Sequence, residues 1–266
     1  MDQRTEDSSA RPAVSVVIPV FNEQESIGPL LDELVPVIAA LPSATSGREH
    51  EIVVVDDGSS DETPSILRRL AETTRGLRVL TLSPNAGQSA AFEAGFRAAG
   101  GEVLITIDGD GQNDPADIPR LLAALPGEVA VFGVRARRAD PGIRKVAQRI
   151  ANAVRNRLLG SRYQDVGCSL KAFRREVIAD VTLYDGMHRF FPYIVEMRAR
   201  RGVELDVSHR PRERGTSKYS PLGRGLPAFK DLWMVRRMRQ RALRYTAVER
   251  PVARESLDRP IEEVSR

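Results

Sequence analysis

Short, nearly continuous apolar runs alternate with amphipathic stretches over the first half of the chain. VSVVIPVF (14–21), EIVVVDD (51–57), LRVLTL (77–82), EVLITID (102–108) and EVAVFGV (128–134) are rich in β-branched residues, the pattern of strands buried on both faces of a parallel sheet. The stretches between them predict helices near 26–41, 61–74, 87–99 and 116–125, with Ser60 or Asp61 placed to cap the second and Pro115 to open the fourth. Repeated strand and helix alternation predicts an α/β architecture, a doubly wound and mostly parallel sheet with flanking helices in a single domain.

Beyond Arg135 the pattern changes. It predicts a long helix over 142–159, the segment QDVGCSLKAFRREV, a helical stretch over 187–201, a short strand VELDVSH (203–209), the basic loop RPRERGTSKYS and a further helix over 222–245. In that last helix Met234, Met238, Ala242 and Tyr245 share one face, and Lys230, Arg237, Arg241 and Arg244 another. Such a helix lies on an anionic membrane surface or packs its apolar side on the domain. The expected organisation is a disordered lead at 1–12, a catalytic domain at 13–220, the basic helix at 221–245 and a polar tail at 246–266.

Composition narrows the class. The 266 residues carry 40 Lys and Arg against 36 Asp and Glu, with 41% hydrophobic positions, which suits a soluble globular chain and excludes wholesale disorder. Charge is uneven: residues 198–245 hold 14 basic against 4 acidic side chains, a patch suited to phosphates. The single cysteine, Cys168, excludes an internal disulfide framework and a Cys-based zinc cluster and fits a reducing compartment. Neither a secretory leader nor a membrane-spanning run is expected, since the longest apolar run, 13–21, is about half the ~18 residues that a span needs.

Ligands of doubly wound sheets sit beyond the carboxyl ends of the strands. Asn22 and Glu23 follow the first strand, Asp56 and Asp57 end the second, and Asp108 and Asp110 end the fourth. A D-x-D turn can hold a hard divalent cation that bridges a diphosphate, although Gly and Asp also dominate ordinary turns. Asp57 could accept hydrogen bonds from a nucleobase, whereas Ser59, Ser60 and Asp61 suit the free N–H groups of a helix start.

VSVVIPVFNE, VVVDDGSSDET, NAGQSAAFEAGFRAA and DGDGQNDP, in this order, resemble the inverting family 2 glycosyltransferases of the GT-A fold. With FGVR, DVGCSLKAFRREV and RERGTSK the chain is similar to the dolichol-phosphate mannose synthase branch, which includes polyprenyl-phosphate sugar transferases. The resemblance implies that Pro19, Phe21, Glu23 and Asp57 contact the donor nucleotide. It implies that Asp108, Asp110 and Gln112 hold Mg2+ or Mn2+ against the diphosphate, and that Arg135, Arg149 (with Arg144 as competitor), Arg212 and Lys218 meet phosphate, the last two in a loop with Gly215 and Ser217. Asp165 occupies the region where hydroxyl-using relatives place a base, or is a loop carboxylate paired with a nearby Arg, and each of these arginines could equally form a surface ion pair, while Cys168 and His188 read as structural and His209 is left open.

The chain departs from the family pattern at Phe21, often Tyr, at Gly111, often apolar, and in lacking C-terminal transmembrane helices. The implied reaction moves a hexose, with inversion, from a nucleotide sugar to a polyprenyl phosphate at the cytoplasmic face of the membrane. Expected partners are the donor, the lipid acceptor, an anionic membrane surface and a separate membrane protein, with no nucleic acid. A hydroxyl acceptor on the same fold is the alternative, ahead of nucleotidyl transfer; a non-catalytic nucleic-acid binder is the other class, against which the basic region offers too few aromatic residues for base stacking.

Overall fold

The computed structural model describes residues 13–42, 49–135, 152–160, 163–211 and 225–242. The elements run β1 (Val14–Val20), α1 (Ile27–Ala39), β2 (Glu51–Asp56), α2 (Thr63–Thr73), β3 (Leu77–Thr81), α3 (Gln88–Ala98) and β4 (Val103–Thr106), all near their predicted places. A 3-10 turn, Pro115–Asp117, leads into α4 (Ile118–Ala124) and β5 (Ala130–Arg135). Then come α5 (152–159), β6 (Lys171–Arg174), α6 (Arg175–Ile178), the 3-10 turn Met187–Phe190, α7 (Phe191–Arg198), β7 (Val203–Val207) and α8 (Gly225–Arg241).

The strands form one sheet in the order β3-β2-β1-β4-β6-β5-β7. Four neighbouring pairs are parallel, and β6 enters between β4 and β5 antiparallel to both. The unassigned QDVGCSLKAFRREV segment thus supplies a central strand whose apolar run is too short to announce itself. It also separates β5 from β4, so the DGD turn and Arg135 lie on strand ends two positions apart.

Strand residues alternate between two cores, as the two-residue side-chain period requires. Val16, Ile18, Ile52, Val54 and Ile105 face Leu30, Leu31 and Leu34 of α1, Leu67 of α2 and Leu121 of α4. Val17, Val53, Val55, Leu104 and Phe173 face Phe92 and Phe96 of α3, Phe191 and Ile194 of α7, and Leu232 and Val235 of α8. Gly95 lets α3 seat directly on the sheet: a Cβ there would lie 2.3 Å from Val17 Cγ1. Order reverses at β1, flanked by β2 and β4, and this opens the crevice for a ligand.

α8 settles one alternative. Its Leu232 and Val235 are buried and Met234 and Met238 pack on the core, so the methionine face belongs to the domain. The face left outward carries Lys230, Trp233, Arg237 and Arg241. No helix among the described residues is long and apolar enough to cross a membrane.

Candidate active site

The carboxyl ends of β1, β2 and β4 bring together the 21–24, 56–63 and 108–114 segments. The first two clasp each other: Asn22 N–H donates to Ser59 Oγ (2.8 Å), Glu23 N–H to Thr63 Oγ1 (2.9 Å), and Ser60 and Glu62 N–H donate back to Asn22 Oδ1 (2.8 Å) and Gln24 Oε1 (3.0 Å). The two serines therefore do not cap α2; Asp61 does the nearest thing, its Oδ1 accepting from Thr63 N–H at 2.9 Å. Asn22 sits at φ +52°, a left-handed conformation that Asn tolerates better than most side chains.

Pro19 is buried inside β1, paired with Val55, and serves the sheet there. Phe21 stands 36% exposed just beyond the end of β1. Glu23 accepts from Ser26 Oγ at 2.7 Å and so orders the start of α1.

The acidic pair at the end of β2 divides its work in a way the sequence did not indicate. Asp57 is buried and braces the 85–87 turn, accepting from Asn85 Nδ2 (2.9 Å), Ala86 N–H (2.8 Å) and Gly87 N–H (2.8 Å). Three of its roughly four acceptor positions are thereby used, which leaves about one for the nucleobase contact that the resemblance implies. Asp56 accepts from Ser59 N–H through Oδ1 (3.0 Å), but its Oδ2 is buried without a hydrogen-bond partner. A buried carboxylate oxygen in that state calls for a donor.

At the end of β4, Gly109 fits because a Cβ there would press on Val20 Cγ1 at 2.6 Å, so the turn lies tight against β1. Asp108 Oδ1 accepts from Gln88 Nε2 at 2.8 Å, and Asp110 Oδ1 accepts from Gln112 N–H at 3.1 Å. Burial first, and the neighbouring Asp110 charge second, push the Asp108 carboxyl up to about 6. Two carboxylates thus crowd one site at an energetic cost that a cation would relieve, and their hard oxygens suit Mg2+ or Mn2+. No group of three or more His, Cys, Asp or Glu side chains able to hold a metal occurs among the described residues, so a bound ion would complete its shell with ligand or water oxygens. Gln112 is turned aside, its Nε2 donating to the Arg210 carbonyl (3.5 Å). Arg210 N–H donates to the Gln112 carbonyl (2.8 Å), and the Arg210 guanidinium holds Asp114 (2.9 Å) and Glu33 (2.7 Å), fixing the turn from outside.

Arg135 and Asp165, expected at phosphate and as a base or an ion-pair partner, are paired with each other. Arg135 Nε and Nη2 donate to Asp165 Oδ2 and Oδ1 at 2.6 and 2.7 Å, and the two side chains are 13% and 9% exposed. A buried fork of this kind fixes the Asp165 carboxylate against a permanent cation and uses two of the five guanidinium N–H donors. Lys171, unremarked in the sequence, is the other buried cation here, 2% exposed in β6 opposite Thr106. His188 is structural as expected: its Nδ1 lies 2.8 Å from Ser89 Oγ, and burial, with Arg189 and Lys171 nearby, lowers it to about 3. Cys168 is buried, where burial raises its thiol, and His209 pairs by backbone with Asn113. Arg144, Arg149, Arg212, Gly215, Ser217 and Lys218 lie outside the described residues.

Comparison with known proteins agrees with this geometry. The chain is similar to the undecaprenyl-phosphate 4-deoxy-4-formamido-L-arabinose transferases of Photorhabdus laumondii (40% identical over 209 residues, 78% of this chain and 63% of the relative) and Edwardsiella ictaluri (43%, 77% and 62%). It spans just over three fifths of these relatives' length. Among solved structures it shares the fold of a mycobacterial protein (TM-score 0.62, 22% identical, covering 85% of this chain and 74% of that one). The same holds for glucosyl-3-phosphoglycerate synthase from Mycobacterium tuberculosis in complex with Mn2+, UDP and phosphoglyceric acid (0.60, 22%, 86% and 78%). At 22% identity these neighbours show the shared fold. The model of glycosyl transferase family 2 matches residues 15–182, from the first strand through the acidic turn to the loop after α6, and the chain belongs to that family.

Proposed function

We propose that the protein transfers a sugar from a nucleotide diphosphate donor to a polyprenyl phosphate, with inversion, at the cytoplasmic face of a membrane. The observation that carries the reading is the crowded Asp108 and Asp110 pair at the crevice beside β1. These carboxylates would hold Mg2+ or Mn2+, which supplies a Lewis acid against the charge that develops on the departing diphosphate. Solved relatives of this fold with Mn2+ or Mg2+ and UDP, and curated relatives named for undecaprenyl phosphate, support the donor and acceptor classes.

The chain's own residues do the positioning. Asp56 Oδ2, lacking a partner, is placed to accept a base or ribose hydrogen, and Phe21 offers an apolar face at the mouth. Gln88 fixes the rotamer of Asp108. A lipid phosphate is already an anion and needs no base to activate it, which matches an Asp165 held by Arg135. The same pairing weighs against the hydroxyl-acceptor alternative. The outward face of α8, with Trp233 53% exposed and flanked by basic side chains, is the surface that we assign to an anionic bilayer.

The test is a donor screen with radiolabelled UDP- and GDP-sugars, including hexoses and 4-deoxy-4-formamido-L-arabinose, with and without polyprenyl phosphate. Label should enter the organic phase only when the lipid phosphate and a divalent ion are both present. Transfer to soluble glycans in preference to the lipid would reject the reading.

A further inference from the structure

Lys171 breaks the local rules of its strand. It lies in β6 between β4 and β5, opposite Thr106 and Phe132, and its neighbours Ala172 and Phe173 are buried apolar residues of the two cores. The residue is 2% exposed, and among the described residues its ammonium takes no hydrogen bond; the Phe191 ring lies 5.9 Å from Nζ. A buried charge without hydrogen bonds opposes folding, and a methionine or leucine would serve the sheet better. Departures of this kind concentrate where a function requires them.

Its surroundings indicate which function. Register places Lys171 beside Thr106, which leads within two residues to Asp108, and Thr106 Oγ1 donates to the Ser169 carbonyl at 2.6 Å, tying the two strand ends together. Burial disfavours the charge on Lys171 and lowers its ammonium, the Cys168, Asp165 and Asp108 side chains oppose that fall, and Arg135 adds to it. With Arg135 paired to Asp165, Lys171 is, among the described residues, the buried lysine that acts on Asp108. With a divalent ion on those two carboxylates the local charge becomes net positive; without Lys171 it would be neutral.

We infer that Lys171 is a positioning residue whose positive charge, favoured when an anion enters the site, makes the metal-loaded site complementary to a diphosphate, acting through the field of the site and not by contact with the metal. This rests on the donor reading above. The charge opposes the cation and favours the anion, so the two affinities should respond to its removal with opposite signs, which a merely structural lysine would not produce.

The experiment compares wild type, Lys171→Met, Lys171→Gln and Lys171→Arg by calorimetry with Mn2+ alone and then with UDP or GDP in saturating Mn2+, alongside thermal melting. Lys171→Met should melt no lower than wild type, bind Mn2+ equally or more tightly, and bind the nucleotide roughly tenfold or more weakly, the scale of one unit charge in a partly screened site. Lys171→Gln should behave alike, and Lys171→Arg should recover most of the nucleotide affinity. Parallel loss of melting temperature, Mn2+ and nucleotide binding in Met and Gln variants would overturn the inference, as would unchanged nucleotide affinity. If the wild type binds Mn2+ but neither nucleotide, the donor reading fails and the inference with it; if it binds both and only the variants disagree, Lys171 alone was misassigned.

Discussion

Asp108 shows how the site trades stability for chemistry. Its carboxyl is raised to about 6 in the folded protein from an ordinary value of 3.8, by burial and by Asp110. The folded state therefore binds the proton more tightly than the unfolded chain does. In EDTA, stability should fall as pH rises from about 4 to about 6 and then level, the sign set by proton linkage. Melting curves across that range should show the slope, and Asp108→Asn should flatten it while abolishing Mn2+ binding. Mn2+ affinity of the wild type should rise through the same window, because the ion needs the deprotonated carboxylate. Asp165 makes a contrasting case. If it were a base, Asp165→Asn would remove turnover and leave melting unchanged. The fork to Arg135 predicts instead a loss of about 3–5 kcal/mol of stability from the stranded guanidinium, with the Arg135→Met, Asp165→Leu double variant more stable than Asp165→Asn. The acidic turn was legible because Asp and Gly at a strand end carry a signal in themselves. The Asp56 and Asp57 exchange was not, since which of two adjacent carboxylates meets a distant loop depends on the path of residues 85–87, while an arginine partner for Asp165 was one of two readings and only the fold identifies it as Arg135.

The elements behave as their periodicity dictates wherever burial is two-sided. β1 and β2 are buried at every position, and their β-branched runs mark them unmistakably. β6 escaped because its four residues include a lysine and an arginine, and only its neighbours, β4 and β5, make it a strand. Gly95 is an element-scale test of close packing. Gly95→Ala would drive a methyl into Val17, and overpacking of this kind costs about 1–3 kcal/mol; a lowered melting temperature with an unchanged Asp108 pH profile is expected. In α8 the hydrophobic pattern identified the helix, but not which face meets the domain. The structure commits the methionine side inward and leaves Trp233 beside Arg237, whose guanidinium is 4.3 Å from the indole centroid. Trp233 is the chain's single tryptophan, so its fluorescence reports on this face alone. Anionic vesicles should shift it to the blue and neutral ones should not. Replacing Lys230, Arg237 and Arg241 by Gln should weaken flotation with anionic vesicles by roughly 100-fold, at about 1 kcal/mol per basic residue. Unchanged flotation would remove α8 from the membrane.

At the scale of the whole molecule, one sheet separates two cores and places every acidic strand end on the same rim. The side of α3 and α7 carries Gln88, Ser89 and His188 toward that rim, and α8 packs behind them through an ion pair of Arg189 with Asp231 at 3.9 Å. A single scaffold thus holds the crevice at the acidic rim and the basic outer face, the two surfaces that the proposed transfer uses. Everything in this account depends on a divalent ion at Asp108 and Asp110 that carries the diphosphate. The most direct measurement is anomalous diffraction at the manganese edge from crystals grown with Mn2+ and UDP or GDP. The account predicts one strong peak touching both carboxylates and the nucleotide diphosphate, absent in Asp110→Asn. A well-ordered nucleotide in the crevice with no peak beside these two residues would contradict it.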